Sequence, residues 1–149
     1  MAPAMTEVLF HRLDEPDRVE GICRLLLRRG RLSPPVLIYC PDEDTLARID
    51  ERLWTIDPGS FLAHAPARDP ERDKTQPILL ACEIVRTNAP QVLINASLEV
   101  PPDLSGFRYI VDFVDGWDEK LVEIARARWR TYRMLGLAPR YLAGAAGQG

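Results

Sequence analysis

Short apolar runs recur along the chain, separated by turn residues or by stretches with helical spacing. The run VLIYC (36–40), which follows two prolines, is typical of a strand buried on both faces of a sheet and therefore implies helices above and below it. This pattern predicts five strands: EVLFHRL (7–13), VLIYC (36–40), ILLACEI (78–84), QVLINASL (91–98) and FRYIVDFV (107–114).

Between these strands, apolar residues recur every three or four positions, which is the spacing of one face of a helix. Three helices are predicted, and each begins after acidic or turn residues: one follows residues 14–17, and one follows Asp42. The third and longest extends from Asp118 to about Leu135, with Gly136 as its stop. Strands that alternate with helices predict an α/β fold with a mainly parallel sheet and helices on both faces.

The remaining segments carry no strand or helix pattern. The charged, proline-bearing stretch from Pro66 to Pro77 predicts an exposed loop. Residues 138–149 end in AGAAGQG and are predicted to form a disordered tail, which leaves residues 1–137 as a single domain.

Composition narrows the class of protein. The chain has 149 residues, of which 46% are hydrophobic and 28% charged, as in ordinary globular domains. No apolar run reaches the roughly 20 residues that span a bilayer, and the start of the chain lacks the pattern of a signal peptide, so we expect a cytoplasmic protein without a membrane partner. The net charge of -3 argues against a surface built to grip phosphate throughout. Cys23, Cys40 and Cys82 lack metal-type spacing and are predicted to be reduced core thiols.

Signatures of catalysis are missing from the sequence. It contains no glycine-rich phosphate motif and no G-x-S-x-G elbow, and its two histidines, His11 and His64, are far apart. We therefore predict no catalytic residue, no metal and no cofactor. Asp112, in the last predicted strand, is interpreted as a structural partner of an arginine. His64 follows Phe61 in a loop and is a candidate partner contact.

The last helix carries the most informative pattern. At about 100° per residue, its inward stripe comprises Leu121, Ile124, Ala125, Tyr132 and Leu135. On the opposite face lie Arg126, Arg130, Arg133 and Val122, with Trp129 beside them. Arg128 projects toward the inward stripe, where we expect it to pair with a carboxylate such as that of Asp112.

Two classes of ligand fit an exposed arginine row beside a tryptophan. One is a peptide with carboxylates and an aromatic end, and the other is a nucleic acid with phosphates and stacking bases. The acidic chain and the single aromatic favour the peptide. Trp54, at a helix end, and Phe61, in the following turn, suggest a second exposed patch, although a tryptophan in such a position is more often part of the core.

Several segments together resemble a known family. The pair Leu53-Trp54 followed by SFLAH (60–64), the strand YIVDFV (109–114) and the helix segment ARARWRTYRMLG (125–136) are similar to the chi subunit of bacterial DNA polymerase III, in the same order. The resemblance extends from about Thr6 to Gly136. It implies a Rossmann-like three-layer fold without enzymatic activity, in an accessory subunit of the polymerase holoenzyme.

The resemblance also implies partners and sites. A chi-like protein holds the acidic C-terminal tail of single-stranded DNA-binding protein, at positions matching Val114, Arg126, Trp129 and Arg130, to which the helical projection adds Arg133. It binds the psi subunit of the clamp loader, or a competing helicase, at positions matching Trp54 and Phe61. No sequence-specific nucleic-acid contact is implied.

The chain also departs from the family pattern. Val122 replaces a lysine that helps the tail site, Ala63 replaces a proline, and Gly116 is an apparent insertion. Two alternatives stay open: a small α/β enzyme or nucleotide-binding protein with an unrecognised site, and a protein that binds single-stranded DNA directly.

Overall fold

The structure is a computed structural model that describes residues 6–29, 35–57, 59 and 62–142. Strands and helices alternate along most of it. The strands are β1 (Glu7–Leu13), β2 (Val36–Tyr39), β3 (Ala65–Pro66), β4 (Ile78–Ala81), β5 (Val92–Asn95), β6 (Tyr109–Asp115) and β7 (Ala138–Tyr141). The helices are α1 (Arg18–Arg29), α2 (Glu43–Thr55), the single turn α3 (Pro70–Asp73) and α4 (Glu119–Met134).

The strands form one seven-stranded sheet in the order β3-β4-β2-β5-β6-β1-β7. Every strand pair in the described part of the chain is parallel. Parallel neighbours cannot be joined by tight hairpins, so the chain crosses over between them. Helices α1 to α4 occupy four of these connections, whereas the β4–β5 and β5–β6 connections contain no helix. The predicted α/β class with a mainly parallel sheet and helices on both faces is confirmed.

Each face of the sheet has its own apolar core. On one face, α1 and α2 pack with residues such as Ile22 and Ile49 against Ile38, Ile94 and other strand residues. On the other face, α4 packs with Ala125 and Tyr132 on the alternate strand residues: Val8, Phe10, Leu37, Leu79, Leu93 and Ile110. Because successive side chains of a strand point to opposite faces, the continuous runs VLIY, ILLA and VLIN supply both layers.

The ends of α4 follow the predicted signals. The Asp118 side chain accepts hydrogen bonds from the backbone N–H groups of Lys120 and Leu121, which otherwise lack partners in a first helical turn. Beyond the helix, Gly136 has a φ of 88°, a left-handed conformation that glycine adopts without a steric penalty. Both the start and the stop of this helix were therefore predictable.

The segment from Pro66 to Pro77 is mostly exposed, as predicted, but it is not an irregular loop throughout. Pro66 belongs to β3, and residues 70–73 form α3. Asp73 is buried and accepts backbone hydrogen bonds from Arg68 and Asp69 at 2.8 and 3.0 Å. One carboxylate therefore folds the charged segment back on itself, which the apolar pattern could not reveal.

The predicted boundary at residue 137 lies too early. Residues 138–141 form β7, which pairs with β1 from Glu7 to Phe10, and Leu142 donates a backbone hydrogen bond to Phe10 at 2.8 Å. The sheet therefore extends through the first part of the predicted tail. Residues 143–149 lie outside the described part of the chain.

In the described part, no helix combines the length and the apolar character needed to cross a membrane.

Candidate partner-binding surfaces

A buried polar cluster beneath α4 fixes how the helix lies on the sheet. Asp112 is fully buried on β6, and its two carboxylate oxygens accept hydrogen bonds from Arg128 Nε at 3.3 and 3.1 Å. Tyr132 Oη donates to the same carboxylate at 2.7 Å, and Asn95 Nδ2 donates at 3.1 Å. Arg18, at the start of α1, also reaches Asp112 and forms an ion pair with Asp115. The predicted pairing of Arg128 with Asp112 is confirmed.

Most polar atoms of this cluster have hydrogen-bond partners, the exception among its described atoms being the buried Arg18 Nε. Arg128 also donates to the backbone carbonyls of Leu98 and Phe113, at 3.1 and 2.7 Å. Burial first, and then the adjacent Asp112 carboxylate, raise the pKa of Tyr132 well above its ordinary value, so its hydroxyl stays protonated and acts as a donor. Since the cluster hydrogen-bonds within itself, it fixes the rotation of α4 about its axis.

The arginine face of α4 points into solvent. Arg126, Arg130 and Arg133 are all exposed. Arg126 and Arg133 are seven residues apart and so point within about 20° of each other. No Asp or Glu lies between Arg126 and Leu135 in the sequence, but an acidic residue precedes them. Glu123 lies three residues before Arg126 and pairs with it at 2.5 Å. Spacing at i and i+3 is a known helix pair, so the sequence contained this signal.

Trp129 joins the arginine face to the core. Its ring lies 5.2 Å from the Phe10 ring, and the residue is partly buried against the cluster that contains Phe10 and Tyr132. Val114 is partly buried against the same cluster. The structure therefore brings the predicted residues Val114 and Trp129 to one face of the sheet, with the exposed arginines on the helix above it.

The predicted inward stripe of α4 is too wide. Ala125 and Tyr132 are buried and Leu121 is partly buried, but Ile124 is 39% exposed and Leu135 is 59% exposed. Ile124 lies about 70° from the centre of the buried stripe, and Leu135 is the cap residue beyond the last turn. Arg128 occupies the inward position between them.

The second predicted surface is only partly described. Trp54, at the end of α2, is 52% exposed, so the expectation that it belongs to the core is wrong. Its ring lies 4.4 Å from the ring of His64. Phe61 lies outside the described residues.

His64 is buried rather than available to a partner. Its ring nitrogens lie 2.6 Å from the carbonyl oxygen of Leu62 and 3.1 Å from that of Asp50. The proposed partner contact through His64 is therefore wrong, and the histidine instead supports the Trp54 ring.

The described residues give little support for a metal site or for a reactive cysteine. In the described residues, no group of three or more His, Cys, Asp or Glu side chains is arranged to hold a metal ion. Cys23 and Cys40 are buried, and burial raises the pKa of each thiol to about 12, which disfavours the nucleophilic thiolate. Cys82 is only partly buried, contrary to the prediction of a core thiol, and burial together with Glu43 raises its pKa to about 11.

The carboxyl edge of the sheet, where α/β enzymes usually bind ligands, holds a cleft of about 380 Å³ between the start of α1, Arg48 and Trp117. Its cations already have acidic partners. Arg18 pairs with Asp112 and Asp115, and Arg48 lies 3.9 Å from Asp17. The first strand-to-helix turn contains Asp14, Glu15 and Asp17, as the sequence indicated. The cleft therefore offers little to a phosphate.

Comparison with solved structures confirms the architecture. The C-terminal domain of S. cerevisiae Dbp5, in a complex with Gle1 and IP6, superimposes with a TM-score of 0.57, covering 93% of this chain and 90% of that one. Sequence identity is 13%, so this likeness concerns the fold alone.

Comparison with known sequences identifies the family. Three relatives are DNA polymerase III chi subunits. That of Escherichia coli K12 is 30% identical over 140 residues, covering 89% of this chain and 94% of the relative. That of Pseudomonas aeruginosa is 30% identical, covering 89% and 92%, and that of Haemophilus influenzae is 34% identical, covering 78% and 81%. The family model "DNA polymerase III chi subunit, HolC" matches residues 5–140. The chain belongs to the DNA polymerase III chi subunit family.

Proposed function

We propose that this protein is a non-catalytic accessory subunit that uses the α4 surface to hold the acidic C-terminal tail of single-stranded DNA-binding protein. The observation that carries the proposal is the combination of exposed Arg126, Arg130 and Arg133 with partly buried Trp129 and Val114 on one side of the domain. Cations on the rim and an apolar base fit a peptide that has carboxylates and an aromatic end.

The binding chemistry divides between charge and apolar contact. The terminal carboxylate of the tail pairs with Arg126 or Arg130, while its last aromatic side chain packs near Trp129 and Val114. Burial of that side chain contributes about 1.5–3 kcal/mol, and a charge-assisted hydrogen bond contributes about 1.5–3 kcal/mol. After the cost of ordering the peptide, a dissociation constant near 1 µM is expected, which is about -8 kcal/mol.

The charge distribution supports a peptide over a nucleic acid. The whole chain carries a net charge of -3, and Glu123 lies within the arginine face itself. Arg128 is buried with Asp112 and is not available to phosphates. A nucleic-acid track usually has a longer basic groove than these residues form.

The test is a titration with a synthetic peptide that ends in aspartates followed by Pro-Phe. Arg126→Ala and Trp129→Ala should each weaken binding about tenfold or more, because each removes one of the two kinds of contact. Arg24→Ala is the matched control, since Arg24 is an exposed arginine on α1, on the other side of the sheet. Unchanged affinity in both α4 variants would defeat the assignment of the site.

We further propose that the surface around Trp54 and Phe61 binds the psi subunit of the clamp loader, or a helicase that competes for the same place. Exposure of the Trp54 ring supports this, because large aromatic side chains are enriched in protein interfaces. Co-purification of psi with Trp54→Ala and with Trp117→Ala provides the test, since both tryptophans are exposed. Loss of psi is expected only with Trp54→Ala, and equal retention by both variants would refute the surface.

A further inference from the structure

The strands beside Trp129 carry further side chains on the α4 side of the sheet. The surface bounded by Trp129, Val114, Arg12 and Tyr141 is called the α4 groove. Successive residues of β1 alternate between the faces of the sheet, so Arg12 points to the α4 side with Val8 and Phe10. In the register of the sheet, Arg12 is the partner of Val114, and Tyr141 is the partner of Phe10. Two neighbouring strands thus place a cation and a phenol beside the apolar base of the candidate tail site.

Arg12 is held in place by three neighbours. Its Nε donates to Asp14 Oδ1 at 2.7 Å, and its Nη2 donates to the backbone carbonyl of Gly116 at 3.4 Å. Hydrogen bonds to Asp14 and to Tyr141 raise the pKa of the guanidinium further. The side chain is nevertheless 44% exposed, and Tyr141 is 43% exposed. Both groups are therefore oriented and accessible, and an incoming carboxylate would share the exposed guanidinium with Asp14.

Gly116 makes room for this arrangement. A Cβ atom added at residue 116 would lie 2.6 Å from Cζ of Arg12, far inside van der Waals contact. The apparent insertion in the turn between β6 and α4 therefore provides the surface on which the guanidinium lies. Alanine at residue 116 would push Arg12 away without altering the charge of the protein.

We infer that Arg12 is a further carboxylate-binding residue of the α4 groove and that Tyr141 forms its second aromatic wall, so that an acidic peptide contacts cations from the strands as well as from the helix. This inference rests on the proposed function. Because α4 joins the parallel strands β6 and β7, it runs antiparallel to them. An extended peptide lying along the groove would meet Arg126 and Arg133 of the helix and Arg12 of the strands.

Two variants test Arg12 in different ways. Arg12→Gln removes the charge, and Gly116→Ala displaces the guanidinium while keeping the charge. Each is expected to weaken binding of the aspartate-rich Pro-Phe peptide about two- to fivefold, the range for an exposed ion pair. Arg140→Gln is the control, because Arg140 is an exposed arginine of β7 whose register partner, Leu9, faces away from α4. The Arg140→Gln variant should bind the peptide with the same affinity as the wild type.

The outcomes separate this inference from the proposed function. If Arg126→Ala weakens binding while Arg12→Gln and Gly116→Ala bind as the wild type does, the inference is wrong and the tail site stands. Equal weakening by Arg12→Gln and Arg140→Gln would mean that the loss of one positive charge anywhere explains the effect. That result would also overturn the inference about Arg12. If the wild-type protein does not bind the peptide, the proposed function fails and the inference fails with it. Melting temperatures of the variants, measured alongside, establish that each is folded.

Discussion

Arg128 on α4 donates from Nε to both carboxylate oxygens of Asp112 on β6, and neither side chain is accessible to more than a trace of solvent. The pair separates two roles within one arginine-rich helix. Arg128 attaches the helix to the sheet, whereas Arg126, Arg130 and Arg133 remain available to a ligand. Substitutions along this helix should therefore affect either stability or binding according to the direction of the side chain.

The first prediction concerns stability. Arg128→Ala should lower the free energy of unfolding by about 3–5 kcal/mol, because removing one partner leaves a buried carboxylate with less compensation. Arg130→Ala, a change of the same type at an exposed site, should alter it by less than about 0.5 kcal/mol. Urea denaturation followed by circular dichroism measures both. Similar stability in the two variants would mean that the buried pair does not anchor α4.

The second prediction concerns the exposed pair of Glu123 and Arg126. In the free protein the Glu123 carboxylate forms an ion pair with Arg126, so the carboxylate of an incoming peptide must displace Glu123. Glu123→Gln should therefore strengthen peptide binding about two- to threefold, in keeping with the modest strength of exposed ion pairs. The gain should shrink as sodium chloride is added, because salt screens exposed charges. Glu51→Gln, an exposed acidic position on α2, should leave the affinity unchanged, and a matching gain there would contradict a local effect.

The third prediction is a pH dependence of stability that arises from Glu20. Hydrogen bonds from Arg52, and then from Arg24, lower the pKa of the Glu20 carboxyl from its ordinary value to about 2. A carboxyl whose pKa is lower in the folded state stabilises the fold above its unfolded pKa, which is about 4.3, and loses that contribution as the pH falls toward 2. The melting temperature of the wild type should therefore drop over this range.

The variant Glu20→Gln isolates that contribution. It should be less stable than the wild type at pH 7, and the gap between the two melting temperatures should close as the pH falls below about 4. Glu119→Gln is the control, because Glu119 is an exposed acid on a different helix, in the first turn of α4. A gap that stays constant from pH 7 to pH 2 would contradict the assigned role of the Arg52 pair.

The fourth prediction concerns β7. A chain that ends after Leu137 lacks the whole strand and leaves one edge of β1 unpaired, and each backbone hydrogen bond so lost contributes about 1 kcal/mol. A chain that ends after Leu142 keeps the strand and its last hydrogen bond to Phe10. Thermal unfolding should therefore show a lower midpoint for the shorter chain than for the longer one. Equal midpoints would mean that β7 adds nothing to the stability of the sheet.

Much of the fold was accessible from the apolar pattern, since a continuous run such as VLIY admits few environments other than a buried strand. The apolar pattern did not predict elements whose formation depends on backbone hydrogen bonds rather than on the burial of apolar side chains. Strand β7 has the sequence APRY and mostly exposed residues, and it exists because β1 presents an open edge to it. The single turn α3 and the buried Asp73 depend in the same way on local hydrogen bonds.

The candidate site was predictable to the extent that it lies on one helix. Angular spacing separated Arg128 from the exposed arginines correctly, because a helix has a fixed geometry. Helical spacing could not assign Arg12 and Tyr141 to the site. Their position on the same side of the sheet as Trp129 follows from the order and register of three strands. Sequence spacing carries no information on that register until β7 is recognised as a strand.

The position of β1 between β6 and β7 has a consequence for synthesis. Phe10 leaves the ribosome early, Trp129 follows much later, and Tyr141 is among the last residues of the sheet to emerge. A nascent chain can bury most of its hydrophobic interior and still lack one side of the groove. The surface that includes Tyr141 is complete only once translation has passed β7. If the proposed peptide site includes Tyr141, a chain that has not reached this point lacks part of that site.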